Sequence, residues 1–230
     1  MTKIYCDIAD KKLIKKYNTI KSVCGFTTNP SLIRKAGAKN YSVYCKDLLK
    51  ITSKPISFEV FGDDEDSMIK QGEEIDSWGR NIYVKIPICN SNGMLMNKVI
   101  KKLNNDNIKL NITAVYSHKQ TKEILKNINK KTKVIISIFA GRMADAGIDP
   151  IPEFKKSLKL SKNFKNVRIL WASTREPYNY IQAKQLKCHI ITVPPNIIDK
   201  IRNFGKTQKK LTVDTVKTFL KDANASNFQI

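Results

Sequence analysis

Lys85 is the residue of this sequence whose type and surroundings most directly suggest chemistry. It interrupts an apolar run in which Ile82, Val84 and Ile86 share one face of a predicted strand, while Tyr83 and Lys85 share the other. A strand that buries both faces and carries one inward lysine is typical of a parallel sheet with a functional site. An amine in such surroundings can lose its proton near neutral pH and attack a carbonyl group to form an imine. The alternative is a lysine at a strand end whose ammonium group reaches solvent.

Other polar side chains interrupt or follow similar apolar runs elsewhere in the chain. They are Asp7, Asn29, Glu59, Asn111, Thr113, Ser137, Ser173 and Thr192, and Phe139 shares a face with Ser137. Any single Ser or Thr of this kind could be structural. Their recurrence near the end of each run indicates a shared location.

The elements that must position these residues are eight short apolar runs alternating with Lys-rich segments of helical spacing. The predicted strands cover residues 3–8, 23–27, 55–60, 81–86, 109–114, 133–138, 167–172 and 188–193. With this length, and without a G-x-G-x-x-G loop, the pattern favours an α/β fold of the (β/α)8 TIM-barrel type over a doubly wound sheet. In such a barrel the polar side chains would point inward at the mouth formed by the C-terminal strand ends.

We expect residues 1–230 to form a single domain, because no linker or low-complexity tract divides the chain. An additional helix is predicted over about 211–222, with Thr212 as its N-cap, followed by a polar tail over 223–230.

The chain is strongly basic, with 42 Lys and Arg against 20 Asp and Glu and a formal net charge of +22. Such a balance suggests nucleic acid or an anionic membrane as a partner. However, only six of the basic residues are Arg, the lysines are scattered along amphipathic segments, and no Arg-rich tract appears. We therefore predict no specific nucleic-acid partner, although the charge should favour encounters with phosphorylated anions.

Five cysteines without a C-x-x-C pair indicate neither a metal site nor a disulfide framework, which suits a reducing cytoplasm. The first residues lack the apolar segment of a signal peptide, and no apolar run approaches the roughly 20 residues of a membrane span. The sequence thus predicts a cytoplasmic protein with no membrane partner and no bound metal.

Several of these residues lie in motifs, and the motifs resemble those of the transaldolase family. They are Gly25–Ile33 (G-F-T-T-N-P-S-L-I), Val84–Pro87, Asn111–Thr113, Ser137–Arg142 (S-I-F-A-G-R) and Ala172–Arg175 (A-S-T-R). Their order and spacing cover nearly the whole chain. The length is similar to that of the small transaldolases, a group that includes fructose 6-phosphate aldolase. The resemblance implies a TIM barrel and a transferase that works through a lysine Schiff base without a cofactor.

The resemblance also implies roles for individual residues. Lys85 would form the imine with the ketose donor, and Asp7 would transfer the proton of the hydroxyl beside the bond that breaks. Glu59 and Thr113, with a water between them, would serve proton transfers during imine formation and hydrolysis. The remaining implied residues bind the phosphorylated sugar: Thr27, Asn29, Asn111, Ser137 and Phe139 around the dihydroxyacetone unit, and Arg142, Ser173 and Arg175 around the phosphate.

The choice between a transaldolase and an aldolase depends on two positions. In this family an acidic residue on the third strand and Phe on the sixth mark transaldolases, and Gln and Tyr mark the aldolases. Glu59 and Phe139 therefore favour transfer of dihydroxyacetone from sedoheptulose 7-phosphate or fructose 6-phosphate to glyceraldehyde 3-phosphate or erythrose 4-phosphate, in the non-oxidative pentose phosphate pathway.

Two alternatives remain: a fructose 6-phosphate aldolase that releases free dihydroxyacetone, and, more remotely, a noncatalytic basic protein that binds nucleic acid. Relatives of this short type assemble as pentamer-based rings that exchange C-terminal helices. The resemblance thus implies a homo-oligomer, a pentamer or a decamer.

Overall fold

Eight parallel strands form a closed barrel in the computed structural model, which describes residues 1–226. They are β1 (Lys3–Asp7), β2 (Val23–Thr27), β3 (Ile56–Glu59), β4 (Ile82–Pro87), β5 (Leu110–Val115), β6 (Val134–Phe139), β7 (Val167–Ala172) and β8 (Ile190–Val193). Each strand pairs with the next, and β8 pairs with β1 to close the barrel. The predicted (β/α)8 TIM barrel is confirmed, and the strand bounds differ from the prediction by at most two residues.

Among residues 1–226, ten helices follow the strands and cover the outside of the barrel, and one further helix at the C-terminal end buries none of its side chains. They are α1 (Lys11–Asn18), α2 (Pro30–Lys35), α3 (Tyr41–Ile51), α4 (Glu65–Ser77), α5 (Asn97–Asn105), α6 (His118–Lys126), α7 (Ala140–Asp145), α8 (Ile151–Ser161), α9 (Tyr178–Gln185), α10 (Pro195–Arg202) and α11 (Gln208–Ser226). None of the helices in residues 1–226 combines the length and the apolar character that a membrane-spanning segment needs.

The additional C-terminal helix exists, but it is longer than predicted, and the predicted cap is wrong. The hydroxyl of Thr207 accepts a hydrogen bond from the Lys210 amide at 3.2 Å, whereas the Thr212 hydroxyl donates to the Gln208 carbonyl inside the helix. Both residues are threonines before an apolar stripe, so local pattern alone could not distinguish them. Residues 223–226 of the predicted polar tail belong to α11, and 227–230 lie outside the described residues.

Two apolar layers determine which strand residues face the site. Outside the barrel, alternate strand residues pack against the helices, and the Trp171 ring stacks on Phe154 of α8 with ring centroids 4.6 Å apart. Inside the barrel, a smaller cluster contains Tyr5, Ile135, Leu170 and Ile190. Polar side chains of the inner set therefore have only the two barrel ends at which to reach solvent or a ligand.

Candidate active site

The predicted polar side chains meet in one cavity of about 210 Å³ at the mouth where the strands end. Its lining comprises Asp7, Thr27, Asn29, Lys85, Asn111, Thr113, Ser137, Phe139, Arg142, Ala172, Ser173, Arg175 and Thr192. Of the predicted site residues, Glu59 alone is not part of this lining, but it contacts the lysine directly. As expected, the alternation of inward and outward side chains along the strands places these residues together at one end of the barrel.

Lys85 lies on β4 between β3 and β5, in register with Glu59 on one side and Asn111 on the other. Its side chain is almost buried, with the whole residue 9% exposed. The Nζ atom donates to Glu59 Oε2 at 3.0 Å and to the Thr28 carbonyl oxygen at 3.2 Å. The amine is thus fixed at the floor of the mouth, with a carboxylate close enough to exchange a proton with it.

Tyr41, which the sequence did not single out, holds the backbone of Glu59. Its hydroxyl donates to the Glu59 carbonyl oxygen at 2.9 Å and accepts from the Glu59 amide at 3.0 Å. These two bonds replace strand pairing, because β2 pairs with β3 only through Ile56 and Ser57. No sequence signal links a tyrosine at the start of α3 to the end of β3.

Replacing Tyr41 with Phe should therefore loosen Glu59. Two backbone groups at the end of β3 lose their partner, so we expect a loss of about 1–3 kcal/mol in the free energy of unfolding. We also expect a lower kcat with little change in KM, since the contact to Lys85 is disturbed. Urea titration and steady-state kinetics measure both effects. An unchanged stability and kcat would show that these bonds contribute nothing.

Asp7 lies across the mouth, at the end of β1. Its Oδ1 accepts a hydrogen bond of 2.7 Å from the Thr27 hydroxyl, which lies 2.5 Å from the hydroxyl of Thr192. Burial raises the pKa of Asp7 above its ordinary value, and the Thr27 hydrogen bond and the charge of Lys85 offset only part of this rise. A carboxyl group with a raised pKa is suited to taking up and releasing a proton closer to neutral pH.

Asn111 is fixed through both ends of its amide. Its Nδ2 donates to the hydroxyl of Ser57 at 3.0 Å, and its Oδ1 accepts from the hydroxyl of Ser137 at 2.6 Å. Ser57 was not predicted, although it precedes Glu59 by two residues and the same periodicity would have placed it on the inner face.

The side-chain hydroxyl of Thr113 has no hydrogen-bond partner among the described residues of the site. This hydroxyl is buried and forms no hydrogen bond with any of residues 1–226, and the residue lines the cavity. A buried polar group without a partner costs about 1–3 kcal/mol, so a bound water or ligand hydroxyl at this place is favoured.

Two arginines lie at the outer rim of the cavity. The guanidinium group of Arg142 lies 5.7 Å from the ring centroid of Phe139. Arg175 donates from Nε and Nη2 to the carboxylate of Asp145, with distances of 2.5 to 3.1 Å. Asp145, another residue that the sequence did not single out, orients Arg175, and the Arg175 hydrogen bond lowers the pKa of Asp145. Paired arginines at a rim suit a terminal phosphate group.

The backbone around these arginines requires Gly141. Ser173 follows β7 with a φ of +63°, and its carbonyl oxygen would lie 1.6 Å from a Cβ atom at position 141. No side chain can occupy that place unless the end of β7 moves.

The substitution Gly141→Ala should therefore displace Ser173 and Arg175, with a stability loss of about 3 kcal/mol expected for overpacking against backbone. Gly79→Ala is the matched control, because a Cβ there meets only side-chain atoms, the flexible end of Leu49 at 3.2 Å and the Asn81 Oδ1 atom at 3.6 Å. Thermal unfolding compares the two variants. Equal melting temperatures for both would contradict the proposed clash.

Both the sequence and the fold of this chain are similar to those of known proteins. A family model described as "Transaldolase/Fructose-6-phosphate aldolase" matches residues 4–230. A "Probable transaldolase" of Nitrosopumilus maritimus is 32% identical over 222 residues, covering 96% of this chain and 94% of the relative. One of a Sulfurihydrogenibium species is 33% identical over 223 residues, covering 96% and 95%.

Solved structures of other families share the fold only. A dihydrodipicolinate synthase variant superposes with a TM-score of 0.60 over 84% of this chain and 69% of its own, at 9% identity. A mandelate oxidase mutant gives a TM-score of 0.58 over 83% and 64%, also at 9% identity. These matches agree with the barrel and carry no information about the reaction.

Proposed function

This chain belongs to the transaldolase/fructose-6-phosphate aldolase family, and from that membership and the site geometry we propose that it is a cytoplasmic transaldolase. It transfers a dihydroxyacetone unit from sedoheptulose 7-phosphate or fructose 6-phosphate to glyceraldehyde 3-phosphate or erythrose 4-phosphate. This reaction belongs to the non-oxidative pentose phosphate pathway. The observation that carries the proposal is the nearly buried amine of Lys85, held beside Glu59 in a mouth that also contains Asp7 and two arginines.

Lys85 is the proposed nucleophile. Its neutral amine adds to the ketone carbon of the donor, and loss of water gives a protonated imine. Asp7 accepts the proton of the adjacent hydroxyl group while the carbon–carbon bond breaks. The electron pair of that bond moves into the imine, which serves as the electron sink, and the shortened aldose phosphate leaves. The retained three-carbon unit then attacks the acceptor aldehyde by the reverse steps.

Glu59 is the proposed proton carrier for imine formation and hydrolysis, since its carboxylate contacts the reacting amine. The hydroxyl of Thr113, which lacks a partner among the described residues, would hold the water that takes part. Release of the sugar by hydrolysis requires such a water close to the imine carbon.

The remaining residues of the mouth bind the substrate in this proposal. Thr27, Asn29, Asn111 and Ser137 face the dihydroxyacetone hydroxyls, and Phe139 closes one side. Arg142 and Arg175 bind the phosphate with support from Ser173. Asp145 already accepts hydrogen bonds from Nε and Nη2 of the Arg175 guanidinium group. The phosphate is therefore bound by the remaining N–H groups of both arginines.

An acceptor-dependence assay tests transfer against simple cleavage. With sedoheptulose 7-phosphate alone, a transaldolase stops after one turnover as the imine. Added glyceraldehyde 3-phosphate restores turnover and yields erythrose 4-phosphate and fructose 6-phosphate. Continuous release of free dihydroxyacetone from fructose 6-phosphate without an acceptor would instead favour the alternative, an aldolase. No turnover with either donor, together with salt-sensitive RNA binding, would favour the noncatalytic nucleic-acid-binding alternative.

A homo-oligomer is also part of the proposal. Helix α11 buries none of its side chains against the rest of the described chain. Val213, Val216, Phe219 and Leu220 nevertheless form an exposed apolar stripe along it. Such a stripe favours packing against a second copy, as in a pentamer or decamer with exchanged C-terminal helices.

The double variant Val216→Glu/Phe219→Glu should then dissociate the oligomer, because charges would be buried at the contact. Size-exclusion chromatography with light scattering measures the mass. The control variant Lys217→Glu/Lys221→Glu changes exposed residues of the same helix and should keep the assembly. A wild-type protein of 26.2 kDa in solution would contradict the proposal.

A further inference from the structure

A second cavity, of about 590 Å³, lies at the opposite end of the barrel, where the strands begin. Its floor includes Tyr5, Tyr83, Ile135 and Ile190, from the apolar layer inside the barrel. Six cationic side chains also line it: Lys3, Lys130, Lys131, Lys133, Lys165 and Arg168. No aspartate or glutamate of the described chain is among its lining residues.

Strand periodicity explains part of this concentration of charge. Lys3 and Arg168 precede inward-facing residues of β1 and β7 by two positions, and Lys133, directly before β6, precedes Ile135 by two. All three therefore lie on the inner side at the N-terminal end of the barrel. Lysines that are scattered along the sequence are therefore concentrated at this end of the molecule. Strand starts far apart in sequence meet in the barrel, which a one-dimensional pattern does not show.

These cations lack the carboxylate partners that some other surface lysines have. Lys11 and Lys126, for example, pair with Asp47 and Glu123 at 2.8 and 2.7 Å. None of the six forms an ion pair with any of residues 1–226. Positive groups crowded together without counterions repel one another, so binding an anion among them is favourable.

The pKa values of neighbouring groups respond to the charges at this end of the barrel. Burial and the Arg168 charge lower the pKa of His189, a further lining residue. Burial also lowers the pKa of Lys109, where the charge of Asp76 opposes the effect more strongly than the charge of Lys133 adds to it. The positive charge of this wall therefore acts on His189, directly before β8.

We propose that this cavity binds a small organic anion carrying two or more phosphate groups. The phosphates contact the cationic wall, and the body of the ligand lies on the tyrosine floor. A single phosphate would leave most of the six cations without a partner, and Arg168 adds a planar donor suited to phosphate oxygens. The volume lies within the roughly 300–1,000 Å³ typical of small-molecule sites. This site is separate from the sugar-phosphate mouth and does not depend on the proposed function.

Isothermal titration at about 0.15 M salt tests the proposal, because long-range attraction is screened there. The probes are tripolyphosphate, ATP, orthophosphate and adenosine. The variant Lys131→Gln/Lys133→Gln removes two wall cations whose side chains are exposed. The control Lys12→Gln/Lys15→Gln removes the same charge from the exposed side of α1. We expect saturable one-to-one binding of tripolyphosphate and ATP, with Kd raised about tenfold by the first variant and less than about twofold by the second.

A third variant, Arg142→Gln/Arg175→Gln, excludes the sugar-phosphate mouth and should keep the tripolyphosphate affinity. Tighter binding of ATP than of tripolyphosphate, without binding of adenosine alone, supports contacts with both the cationic wall and the tyrosine floor, whereas equal affinities for tripolyphosphate and ATP would contradict a ligand body on that floor. Equal losses in the two lysine variants, a loss in the arginine variant, or orthophosphate binding as tight as tripolyphosphate would each overturn the proposal.

Discussion

Lys85→Met is expected to lower transfer activity by at least about 10⁴-fold, because the side chain proposed to form the imine is replaced by one that cannot react. Methionine has nearly the same length, so the strand should remain in place. The variant also leaves the Glu59 carboxylate without its cationic partner, which costs stability. Steady-state assays with sedoheptulose 7-phosphate and glyceraldehyde 3-phosphate measure the loss, and circular dichroism checks that the barrel has formed.

Lys109→Met is the matched control. Lys109 lies directly before β5, in line with Asn111 on the inner face but at the opposite end of the barrel. The Lys109→Met variant should retain activity within about threefold. Lys109 touches no residue of the mouth, and substitutions away from a functional site have small effects. Full activity in a folded Lys85→Met protein would rule out Lys85 as the nucleophile and would return the nucleic-acid-binding alternative to consideration.

Asp7→Asn is expected to lower kcat by about 10²- to 10⁴-fold, the usual contribution of a positioned acid or base. Asparagine keeps a carbonyl oxygen that can accept the Thr27 hydrogen bond, but it cannot take up the hydroxyl proton. Imine formation does not need that proton transfer. The variant should therefore still be labelled at Lys85 by borohydride in the presence of fructose 6-phosphate, which separates a failed cleavage step from failed binding.

The raised pKa of Asp7 gives two signs that can be measured. Activity of the wild-type protein should fall as the pH drops through that pKa, since in the proposed mechanism the carboxylate form accepts the proton. This fall in activity should be absent from Asp7→Asn. The second sign concerns stability. A carboxyl whose pKa is higher in the folded than in the unfolded state stabilises the fold at pH values below its unfolded-state pKa, and this stabilisation is lost as the pH rises through its folded-state pKa. Asp7→Asn should thus be at least as stable as the wild type at pH 7. A clear drop in melting temperature would contradict the buried-carboxyl account.

The sequence could predict most of the fold and of the mouth because one rule, the period of two along a buried strand, governs both. Lys85, Asp7 and Asn111 each share a strand with apolar residues of opposite parity, so their inward direction follows from local sequence. Closure of the barrel then brings strand ends together at one mouth. The same rule would have found Ser57, which orients Asn111.

Other features depend on contacts between distant segments, which a single sequence does not encode locally. Tyr41 reaches Glu59 from a helix start, and Asp145 reaches Arg175 from the helix after the preceding strand. Thr207 and Thr212 are equivalent as caps until the preceding loop is placed. The basic cavity likewise arises only when the separate strand starts become neighbours.

The central claim is an imine on Lys85, and borohydride trapping tests it most directly. The purified protein is treated with borohydride in the presence of fructose 6-phosphate, with and without erythrose 4-phosphate, and analysed by intact mass and peptide mapping. We predict a reduced three-carbon adduct on Lys85 that diminishes when the acceptor is added. A protein that carries no adduct on Lys85 with any ketose phosphate donor would contradict the mechanism.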